Sequence, residues 1–366
     1  MNYDHTEHEK PNKYAVIIIL AVSFVALFLA LGRSSDGDII TGLVKEIRGE
    51  REVSLPMSEK TVKEQELLVE LKIDDKKEEV IIVNDFMAVE VGNTIFVRGS
   101  FFDDERSFEI VDISRKNGIL FLTFLFVGLV FITSGWKGFY SLVGLVFSFA
   151  VIFSYIVPQI LKGASPIFIG VTGSFFILLV TLYLSYGFNK KSLSTLIGIS
   201  LSLLFVGIFA DMAIKLMDFS GFAGKESMFL SVETGNSVNL IGLLIAGIII
   251  AAVGVLDDVA ITQASTVFSL ASVDHSLRGF RLFRKSMEVG KDHISAVVNT
   301  LVLAYTGAAL PLLLLLSLRK VSVEYFISVE IVAEEITRTL IASSGLLLAV
   351  PVTAAIAVLF VRAPDK

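Results

Sequence analysis

The sequence predicts a polytopic α-helical membrane protein of about eight transmembrane helices, with a small β-barrel-like domain after the first. Three observations carry that expectation. The first is composition: 54% of the 366 residues are apolar and 19% are charged, against roughly 25% charged in a soluble protein. The second is unevenness, since residues 33–117 hold 33 of the 68 charged residues. The third is a series of apolar runs close to the ~20 residues that a helix needs to cross a ~30 Å hydrocarbon core. Together they exclude a soluble enzyme and a disordered chain. A net charge of −6 leaves no basic surface for nucleic acid. The absence of cysteine excludes disulfides and thiolate chemistry, and four scattered histidines argue against a catalytic zinc site.

The runs are Tyr14–Leu31, Gly118–Thr133, Phe139–Leu161, Ile167–Leu184, Leu193–Met217, an overlong Leu240–Leu270, Val297–Leu318 and Thr339–Val361. Trp136-Lys137-Gly138 and Lys162–Pro166 are short enough to be tight turns between antiparallel helices. Lysine and arginine bias sets the orientation. With the N-terminus inside, twelve such residues fall on the cytoplasmic side, among them Lys137, Lys190, Lys191, Arg278 and Arg281, and five on the other. Both termini are then cytoplasmic. The expected order is a cytoplasmic segment 1–13, an anchor 14–31, an extracytoplasmic domain 33–117 and a seven-helix domain 118–362. Ala30-Leu31-Gly32 also fits a signal-peptide cleavage site. Asp4, Glu7 and Glu9 before the run, and its 18 residues, favour an uncleaved anchor.

Within 33–117 five short runs read as strands: Ile39–Glu46, Glu66–Ile73, Glu78–Asn84, Thr94–Arg98 and Glu109–Ser114, with Asp74-Asp75-Lys76-Lys77 as a hairpin turn. Five strands in so short a stretch suit a small barrel of the OB kind. Its 20 acidic and 13 basic residues, without an aromatic platform, argue for a structural or partner-docking module rather than one that binds single strands.

Asp257 and Asp258 stand inside the apolar run Gly254-Val255-Leu256-Asp257-Asp258-Val259-Ala260-Ile261-Thr262. An ionised carboxylate at the bilayer centre costs ~3 kcal/mol or more, so such acids line a cavity or an ion path. Two like charges this close resist joint ionisation, which is the behaviour proton coupling requires. Gly247, Gly254, Asp258, Thr262, Ser265 and Ser269 recur at helical spacing as a small, polar stripe, which points Asp258 at the bundle interior and Asp257 at a helix edge. The bland reading puts the pair at the cytoplasmic boundary, solvated and structural. On the next span Asn299 and Thr306 share a face and could complete a polar shell with Thr262. Asp211 and Lys215, at i and i+4, read as a structural ion pair near the outer interface, or as a counter-charge to an aspartate. Asp274–His293 alternates Arg278, Arg281, Arg284 and Lys285 with Leu277, Phe280 and Phe283, as an amphipathic helix on the membrane surface would. Glu324, Glu330, Glu334 and Glu335 fall in the last external loop.

The stretch from Gly254 through Asp257-Asp258-Val259-Ala260-Ile261-Thr262-Gln263 to Gly290-Lys291-Asp292-His293-Ile294-Ser295-Ala296-Val297-Val298-Asn299-Thr300 resembles the YibE/F family of bacterial membrane proteins. That resemblance implies the bacterial cytoplasmic membrane and the same arrangement of anchor, outer domain and seven further spans. More distantly, Val238-Asn239-Leu240-Ile241-Gly242-Leu243-Leu244 leading to Asp257-Asp258 is similar to the proton-carrying helix of RND exporters, and Val298-Asn299-Thr300-Leu301 to a SecF segment. By analogy this implies proton- or sodium-coupled export, with H+ or Na+ as the coupling ion and no further cofactor. The chain lacks the large RND porter domain, so a full pathway needs a homo-oligomer or a second membrane subunit in the lipid bilayer. Two other classes are weighed against it. One is a non-catalytic partner or assembly factor that docks through the outer domain. The other is an intramembrane aspartyl protease, which needs two aspartates sharing a proton. Asp211 and Asp258 fall at different depths of their helices, against that reading.

Overall fold

A computed structural model of the chain describes residues 13–31, 39–54, 61–73, 76–85, 87–102, 105–318 and 321–361. The segment 1–12, Gly32 of the candidate cleavage site and Asp74-Asp75 of the hairpin turn lie outside the described residues. The chain divides into two compact units, one of residues 32–135 and one of residues 1–31 with 136–366.

The first unit begins with five strands: β1 Ile39–Ser54, β2 Thr61–Ile73, β3 Lys76–Asn84, β4 Thr94–Phe102 and β5 Glu105–Ile113, all joined antiparallel in the order β3-β2-β1-β4-β5. All five expected strands are present. β1 runs eight residues further than expected and β2 starts five earlier. The residues added to β1, Ile-Arg-Gly-Glu-Arg-Glu-Val-Ser, are half charged and carry no clear apolar alternation to read. They pair instead through cross-strand charges such as Arg51 with Glu64. β3 approaches β5, but no ladder joins them among the described residues, so what the pairing gives is a five-stranded antiparallel sheet.

β1 serves two partners at once, with Gly42 opposite both Leu71 and Ile95. A Cβ there would stand 2.6 Å from Val69 Cγ1 and 2.7 Å from Leu71 Cδ2, so the crossing needs glycine. The core beneath is Leu67, Val69, Leu71, Ile82, Ile95 and Val97. Buried Gln65 stitches the segment after β3 to it, donating to the Val89 carbonyl (3.1 Å) and accepting from the Val89 and Asn84 N–H groups (2.9 and 3.2 Å).

On the outer face, Lys45 and Lys77 each reach Glu70 at 2.8 Å. Those two ammonium groups, Lys45 first, hold the Glu70 carboxyl below the usual carboxylate range. A depressed folded value means that the contribution is present above the unfolded value of about 4.3 and is lost as pH falls through the folded one. The amides of β1 and β2 are therefore expected to lose protection on acidification below about pH 4. Hydrogen exchange on the full-length chain, corrected for intrinsic rates, checks this, and Glu70→Gln should flatten the acid side of the profile.

The helices are α1 Lys13–Leu31, α2 Lys116–Val151, a π-helical turn Ile152–Ile156 leading into α3 Val157–Leu161, α4 Pro166–Tyr186, α5 Lys190–Leu216, α6 Lys225–Glu233, α7 Leu240–Val273, α8 Gly279–Ala308, α9 Leu310–Leu318, α10 Val323–Ser328 and α11 Glu330–Phe360. Of these, five helices are long and apolar enough to cross a membrane, or six with α8 and α9 taken as one span bent by 61°. The eight expected counted the shorter apolar α1 and divided Lys116–Leu161 in two. The division has a physical mark: Gly135 breaks the helix with φ 55°, one residue before Trp136-Lys137-Gly138.

Local chemistry sets the helix ends. Pro166 opens α4, and Gly187 at φ 74° ends it. Asn189 caps α5 by accepting from Ser192 N–H, and Asn239 caps α7 by accepting from Gly242 N–H, both at 2.9 Å. The core lies between α4, α5, α7, α8 and α11, around Ile199, Val206, Ile248, Leu256 and Leu346. Glycines let these helices touch. A Cβ on Gly170 would meet Ala246, and Gly242 meets Pro166, so α4 and α7 run parallel in step. Gly198 faces Thr353 and Gly345 faces Val206, so α5 and α11 run antiparallel in step.

The segment Asp274–His293 corrects the expectation of a separate surface helix. From Gly279 it is the first half of α8, continuous with the following span. Leu282 is buried with Ala264, Val267, Ala271 and Ala354, and Gln263 donates to the Ser286 carbonyl at 3.2 Å. Its apolar side found two helices to cover it, which the alternation of charges could not show.

Candidate functional site

Asp257 and Asp258 sit on α7, 17 and 18 residues after its cap Asn239–Leu240 junction begins the helix. At 1.5 Å per residue they lie ~25 Å along it. Because α4 and α7 start level, that depth corresponds to the last turns of α4, before Tyr186. The helix then continues for fifteen residues beyond Asp258. The pair therefore stands level with the last turn of α4, near the α4–α5 turn, and not with its middle.

The two carboxylates have opposite surroundings. Asp257 is on the side of Val253 and Ile261, both buried, and its Oδ1 is buried without a hydrogen-bond partner. Asp258 is exposed, with Gly247, Gly254, Thr262 and Ser269 on the same face of α7. This reverses the assignment made from spacing, in which Asp258 faced the interior. The reason is area: α4, α5, α8 and α11 cover the faces of α7 that offer isoleucine, leucine and valine, and a stripe of glycine and hydroxyl residues buries little apolar surface. Periodicity defines a face; it does not say which neighbour covers it.

The supposed shell is also dispersed. Thr262 lies one turn from Asp258, but its hydroxyl donates to the Asp258 backbone carbonyl at 2.7 Å. Asn299 is exposed and makes no hydrogen bond to either aspartate among the described residues. Thr306 lines a different cavity, with Tyr305, Glu335 and Thr339 between α8 and α11. Asp211 accepts from Lys215 Nζ at 2.7 Å within α5, both side chains well exposed. The α7 residues that line the same groove as Asp211 are Ile245 and Ile249, ~18 and ~12 Å along the helix from Asp257. Neither a counter-charge nor a protease pair is assembled.

Spacing missed two residues here: Tyr186, which stands close to the aspartates, and Lys191, which packs on it. Both carboxylates act electrostatically on the Tyr186 hydroxyl, and Lys191 Nζ sits over the Tyr186 ring at 5.3 Å. The turn Gly187-Phe188-Asn189 that joins α4 to α5 is the signal that could have found them, since it folds Lys191 back beside Tyr186. Among the described residues no three histidine or acidic side chains converge on a metal position.

The glutamates of the last external loop are helical as well. Glu330 opens α11 and accepts from Ser220 and Gly221 N–H at 2.6 and 3.1 Å, strapping the end of the α5 loop to it. Glu335 pairs with Arg338 at 3.1 Å, and Glu334 is half-buried in the same turns.

Residues 122–363 match the model of the YibE/F-like protein family, which takes in α2 to α11 with both aspartates. The chain belongs to that family. The match leaves out everything that precedes α2, the β strands of residues 39–113 included, and the first six residues of α2. No curated protein and no solved structure matches the chain, and the likeness to RND exporters and SecF rests on the quoted residues alone. In this YibE/F-like chain, then, the family-matched region is the helical bundle, and the candidate chemistry sits on its central helix.

Proposed function

We propose that the chain is the membrane subunit of a proton- or sodium-coupled transporter or export system, in which Asp257 takes up the coupling ion and Asp258 is its approach. The observation that supports this reading is the Asp257 Oδ1, buried with no hydrogen-bond partner among the described residues. An ionised carboxylate left so is costly, and a proton or a cation on it removes the cost. Asp258, one residue away on the open face, provides a negative waypoint from the α4–α5 side, and Tyr186 stands near it.

In this reading the chain crosses a bacterial cytoplasmic membrane eight times, with residues 33–117 outside and both termini inside, as the lysine and arginine bias requires. The exposed stripe of Gly254, Asp258 and Thr262 then faces a second copy or a second membrane subunit. A carboxylate turned to lipid is costly, with ~2.5–3.5 kcal/mol the figure at the helix centre.

The test needs no substrate. Purified protein is labelled with a hydrophobic carbodiimide from about pH 5 to about pH 9, with and without sodium, and the modified residue is mapped by mass spectrometry. Labelling of Asp257 that persists toward neutral pH, with sodium protection if sodium is the ion, is the expected result. No labelling of either aspartate at any pH overturns the reading in favour of a docking or assembly role.

A further inference from the structure

Between α4, α5 and α7 runs a groove of about 590 Å3, the size of a site for one small ligand. Its floor is Leu178, Ile245 and Ile249, all buried, and its open rim is Val171, Phe175, Leu204 and Ile208, all exposed. On α5 it extends from Ser200 to Asp211 in steps of three and four residues. That is ~16 Å of helix, close to half of a ~30 Å hydrocarbon core. Ser200 does not make the deep end polar, because its hydroxyl is spent on the Leu196 carbonyl at 2.7 Å.

The other end is charged and lies at the membrane surface. α4 and α5 are antiparallel neighbours, so the Asp211 end is level with Ile167, the second residue of α4. There Lys215 Nζ holds one carboxylate oxygen of Asp211. An ammonium has two further protons to donate and a carboxylate several further lone pairs. The site thus offers an anion acceptor and a cation acceptor side by side above an apolar slot one leaflet deep.

We propose that this groove holds one acyl chain of a zwitterionic phospholipid whose head group carries a primary amine, the ammonium on Asp211 and the phosphate on Lys215. Depth matches one tail, and the ion pair, its two charges side by side, offers one partner to each charge of the head group. The proposal is independent of the ion reading of Asp257, which lies further along α7 and does not line the groove.

The experiment is lipid retention by the full-length protein. The chain is purified in detergent, offered lipids of identical tails with ethanolamine, choline or glycerol head groups, and examined by native mass spectrometry. One retained ethanolamine lipid per chain is expected, favoured over choline about tenfold, the worth of one charge-assisted hydrogen bond at a partly wet site. Choline carries the same charge but has no N–H to donate. Asp211→Asn should erase that preference. Gly207→Phe should abolish retention: the nearest atom to a Cβ there is Ile249 Cδ1 at 3.6 Å, so the ring has only the groove to enter. Equal retention of all three head groups by the native chain overturns the proposal, as does an undiminished preference in Asp211→Asn. Should Gly207→Phe not fold, Asp211→Asn, on an exposed pair, still decides.

Discussion

Asp257→Leu is expected to make the solubilised protein more stable while abolishing carbodiimide labelling and any ion-coupled activity. A buried polar atom without a partner costs roughly 1–3 kcal/mol in folded proteins, and leucine replaces the carboxyl with apolar surface of similar size. The variant should unfold at a higher temperature or denaturant concentration than the native chain, by about that amount. Asp258→Asn is the contrast. Its side chain is exposed, and a substitution there is expected to stay within about ±0.5 kcal/mol while still slowing ion uptake if Asp258 is the approach. A stabilised, inactive Asp257 variant is the signature of a residue kept for function at the expense of the fold. An Asp257→Leu protein that is less stable than the native chain would show that the carboxylate is structural, and the ion reading would fall with it.

The second large effect is on packing. Gly198→Val should cost more than any surface change in the bundle, because a Cβ at this position overlaps Thr353 Oγ1 and stands 3.0 Å from the Thr353 Cα. A rotamer change can move a hydroxyl; it cannot move a backbone atom. Overpacking of a close helix contact costs roughly 1–3 kcal/mol, and here α5 and α11 would have to separate along their whole shared length. They are held again at Gly345 against Val206. The expected result is loss of monodisperse protein in detergent, or a markedly lowered unfolding midpoint with helical circular dichroism retained. A Gly198→Val chain as stable as the native one would mean that α5 and α11 do not meet there.

The elements legible in the sequence were those written in composition and local chemistry. The turn between α3 and α4, the start of α7 at Asn239–Leu240 and the five strands of residues 39–113 each carry a cap, a proline or an apolar alternation that acts over a few residues. The ends misread were of another kind. α8 begins eighteen residues before Val297, and α11 nine before Thr339, because charged turns such as Lys285–Glu288 and Glu335–Arg338 are stabilised by pairing and by packing on other helices. β1 outruns its apolar part for the same reason.

That the chain is a membrane protein, and that two carboxylates interrupt its most apolar helix, the sequence determined by itself. Both facts are one-dimensional: they need only the counting of residues against the thickness of a bilayer and the cost of charge within it. Which carboxylate is buried was decided only by the tertiary structure. Asp257 and Asp258 differ by ~100° around one helix, and the faces they occupy became inside and outside only when α4, α5, α8 and α11 closed on the isoleucine and valine sides of α7. The same closure carried Tyr186 to the aspartates and Thr306 to a separate cavity. Proximity across helices is set by where apolar surfaces and backbone-to-backbone glycines let them meet, and spacing along one helix holds no record of that.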